Sequence, residues 1–339
     1  MKSSEQIKKF ILDNLTHHHR DIIQAAIQKF GISRQAALKH MNFLIDQKQV
    51  IAHGKTRDRF YELKPYVNFS KTIVVDSNFS LDQVLRKQIL PHFSFLSKNI
   101  HEICEFSISA ILQNIIDHAN ATKLYYKIFI NHNNVHIVVS DNGRGLFEHI
   151  RSLLKLENIK VAAIEVAKGH VTTDPDHHSG DELNTVIQLF DRATIDSAGK
   201  SLVFINKTKD WIIKHSQQKK GTRIHLEIES SSKRNCKEIF QNIFNGKQNS
   251  IRIPINLLKT EEGELVNSRA QAQSILRNIS DCKNIEFDFN NIELIGPAFA
   301  DELVRKTKAK NQIADIKWTN SSKTVDLLMS MALNRFSKV

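Results

Sequence analysis

No run of this chain approaches the roughly 18 consecutive apolar residues that a membrane-spanning helix needs, and no apolar secretory core stands near its N-terminus. Neither a span nor export is expected, which leaves the cytoplasm. Cysteine is also scarce. Cys104, Cys236 and Cys282 are the only three in 339 residues; they are far apart, lack paired metal-ligand spacing, and would leave one over in any disulfide scheme. All three are read as reduced and buried. Acidic charge is in deficit as well: 36 Asp and Glu stand against 48 Lys and Arg, for a net charge of +12. Such an excess attracts phosphate-bearing partners without naming one, and a merely soluble basic protein carries the same balance. What is present is an ordinary apolar fraction, 41%, on a chain long enough for two or three domains.

Near the N-terminus, Ile7, Phe10, Ile11 and Leu15 recur at helical spacing, a second helix is predicted over about 21–30, and Gly31 ends it. Ser33 is placed to cap a third helix through residue 47, with Ala36, Ala37, Met41, Leu44 and Ile45 facing inward. Arg34, Gln35, Lys39, His40 and Asn42 then face outward. Two short strands, 50–53 and 59–63, flank a basic turn. Over residues 3–64 this order resembles the winged helix-turn-helix domains of bacterial regulators. The resemblance implies DNA as partner, with Arg34, Gln35, Lys39 and His40 as base or phosphate contacts and Lys55, Arg57 and Arg59 on phosphate. Winged helices also serve as protein-interaction or dimerisation modules. The triple His17-His18-His19 is read as structural or exposed, because consecutive residues cannot all face one ion.

Further on, a strand-like run over 134–140 ends in Asp141-Asn142-Gly143-Arg144-Gly145, about two dozen residues after a helix carrying Asn114 and His118. A carboxylate there can accept an adenine amino proton, glycines admit a nucleotide close to the backbone, and a helical Asn can reach a phosphate-bound Mg²⁺. A plain strand-ending turn uses the same residues. A polar, Gly- and Pro-punctuated segment over 168–183 has the character of a lid, and Gly221-Thr222 precedes a second alternating strand over 223–229.

In this order and spacing, residues 75–230 resemble the histidine-kinase-like (GHKL, or Bergerat) ATPase family, which includes gyrases and sensor kinases. The likeness implies ATP and Mg²⁺ as cofactors. It makes Asn114 the Mg²⁺ ligand, Asp141 the adenine anchor, Gly143 and Gly145 the first glycine box, Gly180 part of the second, and Thr222 the late threonine near adenine. His118, Lys168, Thr172, Thr173, His178 and Ser179 complete the expected nucleotide contacts.

Two positions depart from that pattern. Hydrolytic members carry a general-base Glu four residues before the Asn, on the same helix face; here Ala110 stands in its place. Glu105, nine residues before Asn114, falls on the opposite face. Glu182 occupies a position where the second box commonly has Gly; its Cβ and charge are expected either to reshape lid closure or to repel phosphate.

From about residue 250 the pattern alternates: strands at 251–257, 284–289 and 315–318, with helices over 268–278, 297–310 and 324–334. The runs 284–289 and 292–303 resemble a STAS-like domain of unknown function. STAS partners of related anti-sigma kinases carry a phosphorylatable hydroxyl where this chain has Gly296-Pro297-Ala298, so no acceptor is expected within the chain. Asp301 and Glu302 are read as a regulatory contact or a charged helix flank.

The expected fold class is multi-domain α/β (α+β): a winged helix over 1–66, a Bergerat-type α/β sandwich over 75–232 and a STAS-like α/β domain over 236–336. The expected function is that of a cytoplasmic, ATP- and Mg²⁺-binding DNA-binding regulator or sensor, with hydrolysis absent or impaired at Ala110. The alternative is a slow ATPase or an anti-sigma-type protein kinase acting on a separate protein. A homodimer partner stays open.

Overall fold

The computed structural model describes residues 4–169, 182–247, 250–259, 265–276, 284–310 and 315–336. They form a mixed α/β architecture with three separate sheets. Among these residues no helix is long and apolar enough to cross a membrane.

The first unit is built from helices α1 (Ser4–Asn14), α2 (Ile22–Phe30) and α3 (Arg34–Asp46), followed by strands β1 (Val50–His53) and β2 (Phe60–Leu63). Local signals set its boundaries. Gly31 adopts the left-handed conformation that closes α2, and the Ser33 hydroxyl accepts the Ala36 N–H at 3.2 Å to open α3. A small core of Ile7, Ile11, Leu15, Ile22, Met41 and Leu44 holds the three helices together. Tyr61 of β2 donates its N–H to the His19 carbonyl at 2.9 Å, tying the hairpin to the turn between α1 and α2.

The second unit is a seven-stranded antiparallel sheet in the order β3-β4-β5-β9-β6-β7-β8. Its strands are β3 (Val67–Val74), β4 (Lys123–Ile130), β5 (Asn134–Asp141), β6 (Arg192–Ser197), β7 (Lys200–Ile205), β8 (Asp210–His215) and β9 (Thr222–Glu229). It takes in Val67–Val74, which lay between the first two expected domains. Every second residue of the central strands is buried, for example Val135, Ile137, Val139 and Asp141 on β5, so one face meets helices and the other faces outward.

After a short helical stretch that starts at α4 (Leu81–Gln83), the covering helices are α5 (Lys98–Asn114), α6 (Leu146–Leu153), α7 (Ile159–Lys168) and α8 (Glu182–Leu189). Helix α5 lays Ile100, Ile103, Cys104, Ile108 and Ile111 on the sheet, an i, i+3, i+4 stripe. Helix α7 is buried along every residue from Val161 to Lys168, because it is covered by more than the sheet.

Its other neighbours are in the third unit. There β10 (Ser250–Pro254), β11 (Asn284–Asp288) and β12 (Asp315–Thr319) form a parallel sheet, with α9 (Cys236–Lys247), α10 (Arg269–Ile275), α11 (Pro297–Lys310) and α12 (Lys323–Phe336). The apolar core runs without a break from the second unit into the third. Polar contacts reinforce the join. The Lys160 ammonium donates to the Leu258 and Lys259 carbonyls at 2.8 and 3.0 Å, and the Asn256 amide donates to the Trp211 carbonyl at 2.8 Å.

Two expectations need correction. The strand expected over 251–257 stops at Pro254, after which Ile255–Leu258 coil into a 3₁₀ turn; proline has no N–H to extend the ladder. Cys236 is half-buried rather than buried, since it opens α9 at the edge of the core, whereas Cys104 is fully buried; both are free thiols. Cys282 lies outside the described residues.

Candidate functional site

The end of α5, the end of β5, the start of α6 and the start of β9 meet around one cavity, which Gly169 and Glu182–Asn184 close on the remaining side. Asp141, the last residue of β5, lies in its wall with only 5% of its surface exposed. The Gly143 N–H donates to one carboxylate oxygen at 2.7 Å and the Thr222 N–H to the other at 3.2 Å.

Burial pushes the Asp141 carboxyl above its ordinary range, against the pull of these two N–H bonds. The stability contributed by such a group is greatest at low pH and declines as pH rises from the unfolded value through the raised folded one. A ligand that presents a further hydrogen-bond donor recovers part of that loss, because each carboxylate oxygen has lone-pair capacity for more than one donor.

The glycines keep the backbone close. A Cβ on Gly143 would stand 2.1 Å from the Ala119 carbonyl oxygen, and one on Gly221 would stand 2.0 Å from that of Asp141. Gly145 has φ +83° and leads directly into α6, whose first N–H, at Leu146, is accepted by the Thr222 hydroxyl at 2.8 Å. That hydroxyl therefore acts as the cap of α6 and also faces the cavity.

Asn114 is the last residue of α5, and the chain then widens into a π-helical turn over Ile115–Ala119 that ends at left-handed Asn120. Its carboxamide lines the cavity and has no hydrogen-bond partner among the described residues. An amide oxygen so placed is a suitable ligand for a hard cation. His118 and His149 stack on the rim with centroids 6.1 Å apart, and the Arg144 guanidinium lies 3.1 Å from the His149 ring. Burial, then Arg144 and His118, lower the His149 pKa, so Arg144 is the fixed positive charge here.

Of the expected nucleotide contacts, Asn114, His118, Asp141, Gly145 and Thr222 share the cavity wall, and Gly143 supports it from behind Ala119. Lys168 does not join them. It is buried on α7, where its ammonium bonds the Glu165 carboxylate at 2.6 Å. Thr172, Thr173, His178, Ser179 and Gly180 lie outside the described residues. Ala110 is buried one turn before Asn114 and brings no polar atom, while Glu105 stands on the outer side of α5 near His101 at 3.9 Å. Glu182 does line the cavity. Arg144, His149 and Asn184 were not expected there; only Arg144 had a sequence signal, its place inside the glycine turn.

On the first unit, Arg34, Gln35 and Lys39 project from the exposed side of α3. His40 is half-buried, 3.5 Å from the Ser4 hydroxyl, and burial with Lys8 and Lys39 lowers its pKa. Lys55 and Arg59 are exposed at the hairpin, the Arg59 guanidinium 5.4 Å from the Tyr61 ring centre; the side chain of Arg57 lies outside the described set.

Residues 271–326, which carry β11, α11 and β12, match the model of a STAS-like domain of unknown function (DUF4325). No curated protein matches the chain. In this domain Gly296 is required by space: a Cβ would stand 2.7 Å from the Asn267 backbone, and the Gly296 N–H donates to the Val266 carbonyl at 2.9 Å. Glu302 is buried and held by Gln273 at 2.7 Å and by Arg305 at 2.6 Å, while Asp301 pairs with Arg335 at 2.8 Å. Both acids thus serve internal contacts.

Gly221→Ala forces a non-glycine residue to φ +71° and drives its Cβ into the Asp141 carbonyl. Gly199→Ala, at φ +77° in open space, carries only the conformational cost of about 1–2 kcal/mol. Denaturant unfolding should therefore place Gly221→Ala well below Gly199→Ala in midpoint; equal midpoints would contradict the close approach.

Proposed function

We propose that the chain is a nucleotide-responsive DNA-binding regulator: ATP with Mg²⁺ occupies the cavity of a histidine-kinase-like ATPase domain, and its occupancy controls a winged-helix DNA reader. The observation that carries this reading is the buried Asp141 carboxylate facing the same cavity as the Asn114 carboxamide, which has no partner among the described residues. An acceptor for an exocyclic amine and an oxygen ligand for a phosphate-bound cation are what an adenine nucleotide requires of the two ends of its site. Arg144 adds positive charge to the same cavity, which Glu182 also lines.

Hydrolysis is absent or weak in this reading. Ala110 offers no group to orient an attacking water, and Glu105 points away from the cavity. Coupling to DNA runs through β5. Its C-terminal end is Asp141; just before its N-terminal end, the Asn133 amide donates to the Leu12 carbonyl at 3.2 Å, and His132 meets Asp13 at 2.9 Å, both on α1. A strand eight residues long thus spans from cavity to reader. The exposed Arg34, Gln35 and Lys39, with Lys55 and Arg59, supply the cationic surface that phosphate needs.

Three measurements test these roles. Calorimetry should detect ATP uptake with Mg²⁺, and Asp141→Asn, which sets an amide donor against the Gly143 and Thr222 N–H groups, should weaken it about 10- to 100-fold; unchanged affinity would remove Asp141 from the site. Ala110→Glu should raise phosphate release above the parent rate, and no gain in turnover would count against the general-base geometry. DNA affinity should differ with and without ATP·Mg²⁺, and Arg34→Glu with Lys39→Glu should lower both affinity and its salt slope, by about 0.9 for each phosphate no longer neutralised. Equal DNA affinities in the two nucleotide states would reject the coupling.

A further inference from the structure

The outward face of the large sheet carries a second cluster, on the side opposite the cavity. His136 on β5 and His225 and Glu227 on β9 each bring one ligand atom to within 4.8 Å of the others. The strand register explains the meeting. His136 sits directly across from Glu227, while His225 sits across from Val138, one diagonal step away. Side chains alternate along a strand, so this trio shares a face that Val139 and Ile224, both lining the cavity, do not.

The geometry suits coordination better than hydrogen bonding. The two rings are 5.7 Å apart and inclined at 32°, and His225 Nδ1 stands 3.6 Å from the Glu227 carboxylate, longer than a hydrogen bond. About a third of the His225 and Glu227 side-chain surface is exposed, so an ion has access. Phe129 packs against the His136 ring at 5.7 Å and 69°, restricting how it turns.

Charge around the cluster is mixed. Lys127 and Arg192 bring positive charge near the cluster, and Asp196 brings negative charge beside Glu227.

We propose that His136, His225 and Glu227 form a site for a late first-row divalent cation, zinc being the best match, on the outer face of the large sheet. Two imidazole nitrogens and one carboxylate oxygen are a borderline-soft donor set that suits Zn²⁺ and not Mg²⁺, which takes oxygen ligands. Three protein ligands leave a position open in a tetrahedral shell. The ion clamps β5 to β9, the two strands that also hold Asp141 and Thr222. The site stands apart from the nucleotide reading and does not depend on it.

Chelator-treated full-length protein titrated with Zn²⁺ against a chromophoric competitor, and with Co²⁺ while following its visible absorption, tests the site. Uptake of one ion per chain is expected, with a rise in thermal midpoint. His136→Gln, His225→Gln and the near-isosteric Glu227→Gln should each weaken binding by more than about tenfold while far-ultraviolet circular dichroism stays unchanged. No uptake at submillimolar zinc overturns the proposal. So does uptake that survives the folded His136→Gln/His225→Gln double variant, since the ion then sits on other histidines.

Discussion

Two backbone N–H groups converge on the buried Asp141 carboxylate, one from Gly143 just beyond β5 and one from Thr222 at the start of β9. The rest of the site depends on this convergence. It fixes the end of β5 against the start of β9, brings Gly221 within 2.0 Å, by its hypothetical Cβ, of the Asp141 carbonyl, and sets the Thr222 hydroxyl under the first N–H of α6. One acidic group thereby orients a strand end, a glycine turn and a helix start. Its cost is the desolvation that raises its pKa, which two neutral hydrogen bonds only partly offset.

A buried charge with incomplete compensation is a poor choice for stability alone, since an apolar residue would fill the same space without the penalty. The arrangement makes sense where a ligand completes it. The Asn114 carboxamide on the same cavity has the same character: a polar group whose hydrogen-bonding capacity is unused among the described residues. Lys168 and Glu165 provide the contrast. Their buried charges meet at 2.6 Å within one helix, and neither side chain is among those that line the cavity. Burial of charge alone does not mark a site; burial with spare valence does.

Features decided by near neighbours in the chain were legible in the sequence. Ser33 and Gly31 delimit α3 and α2, Pro297 opens α11, and alternation marks β5 and β9. The meeting of Asp141 with Thr222 is another matter, because 81 residues separate them and no local pattern encodes a strand order in which β9 lies between β5 and β6. The family resemblance singled out Thr222 only as a threonine near the adenine. The metal-type trio was invisible for the same reason: His136 and His225 are ordinary polar positions on separate strands until the register brings them together. Lys168 pairs with Glu165 three residues earlier inside a buried helix, a contact that a Lys before Gly does not announce in the sequence.

If nucleotide binding is the trigger, the absence of an acid at Ala110 decides what kind of switch the protein is. A hydrolytic switch times itself, since turnover returns it to the empty state. Without turnover, the bound state ends only by dissociation, and occupancy follows concentration. Occupancy at a hundredfold excess over Kd stabilises the binding-competent state by about 2.7 kcal/mol, enough to shift a two-state equilibrium nearly a hundredfold. That shift reaches the reader only to the extent that the two arrangements differ in affinity for nucleotide, and the Asn133 and His132 contacts at the near end of β5 are where such a difference must be felt.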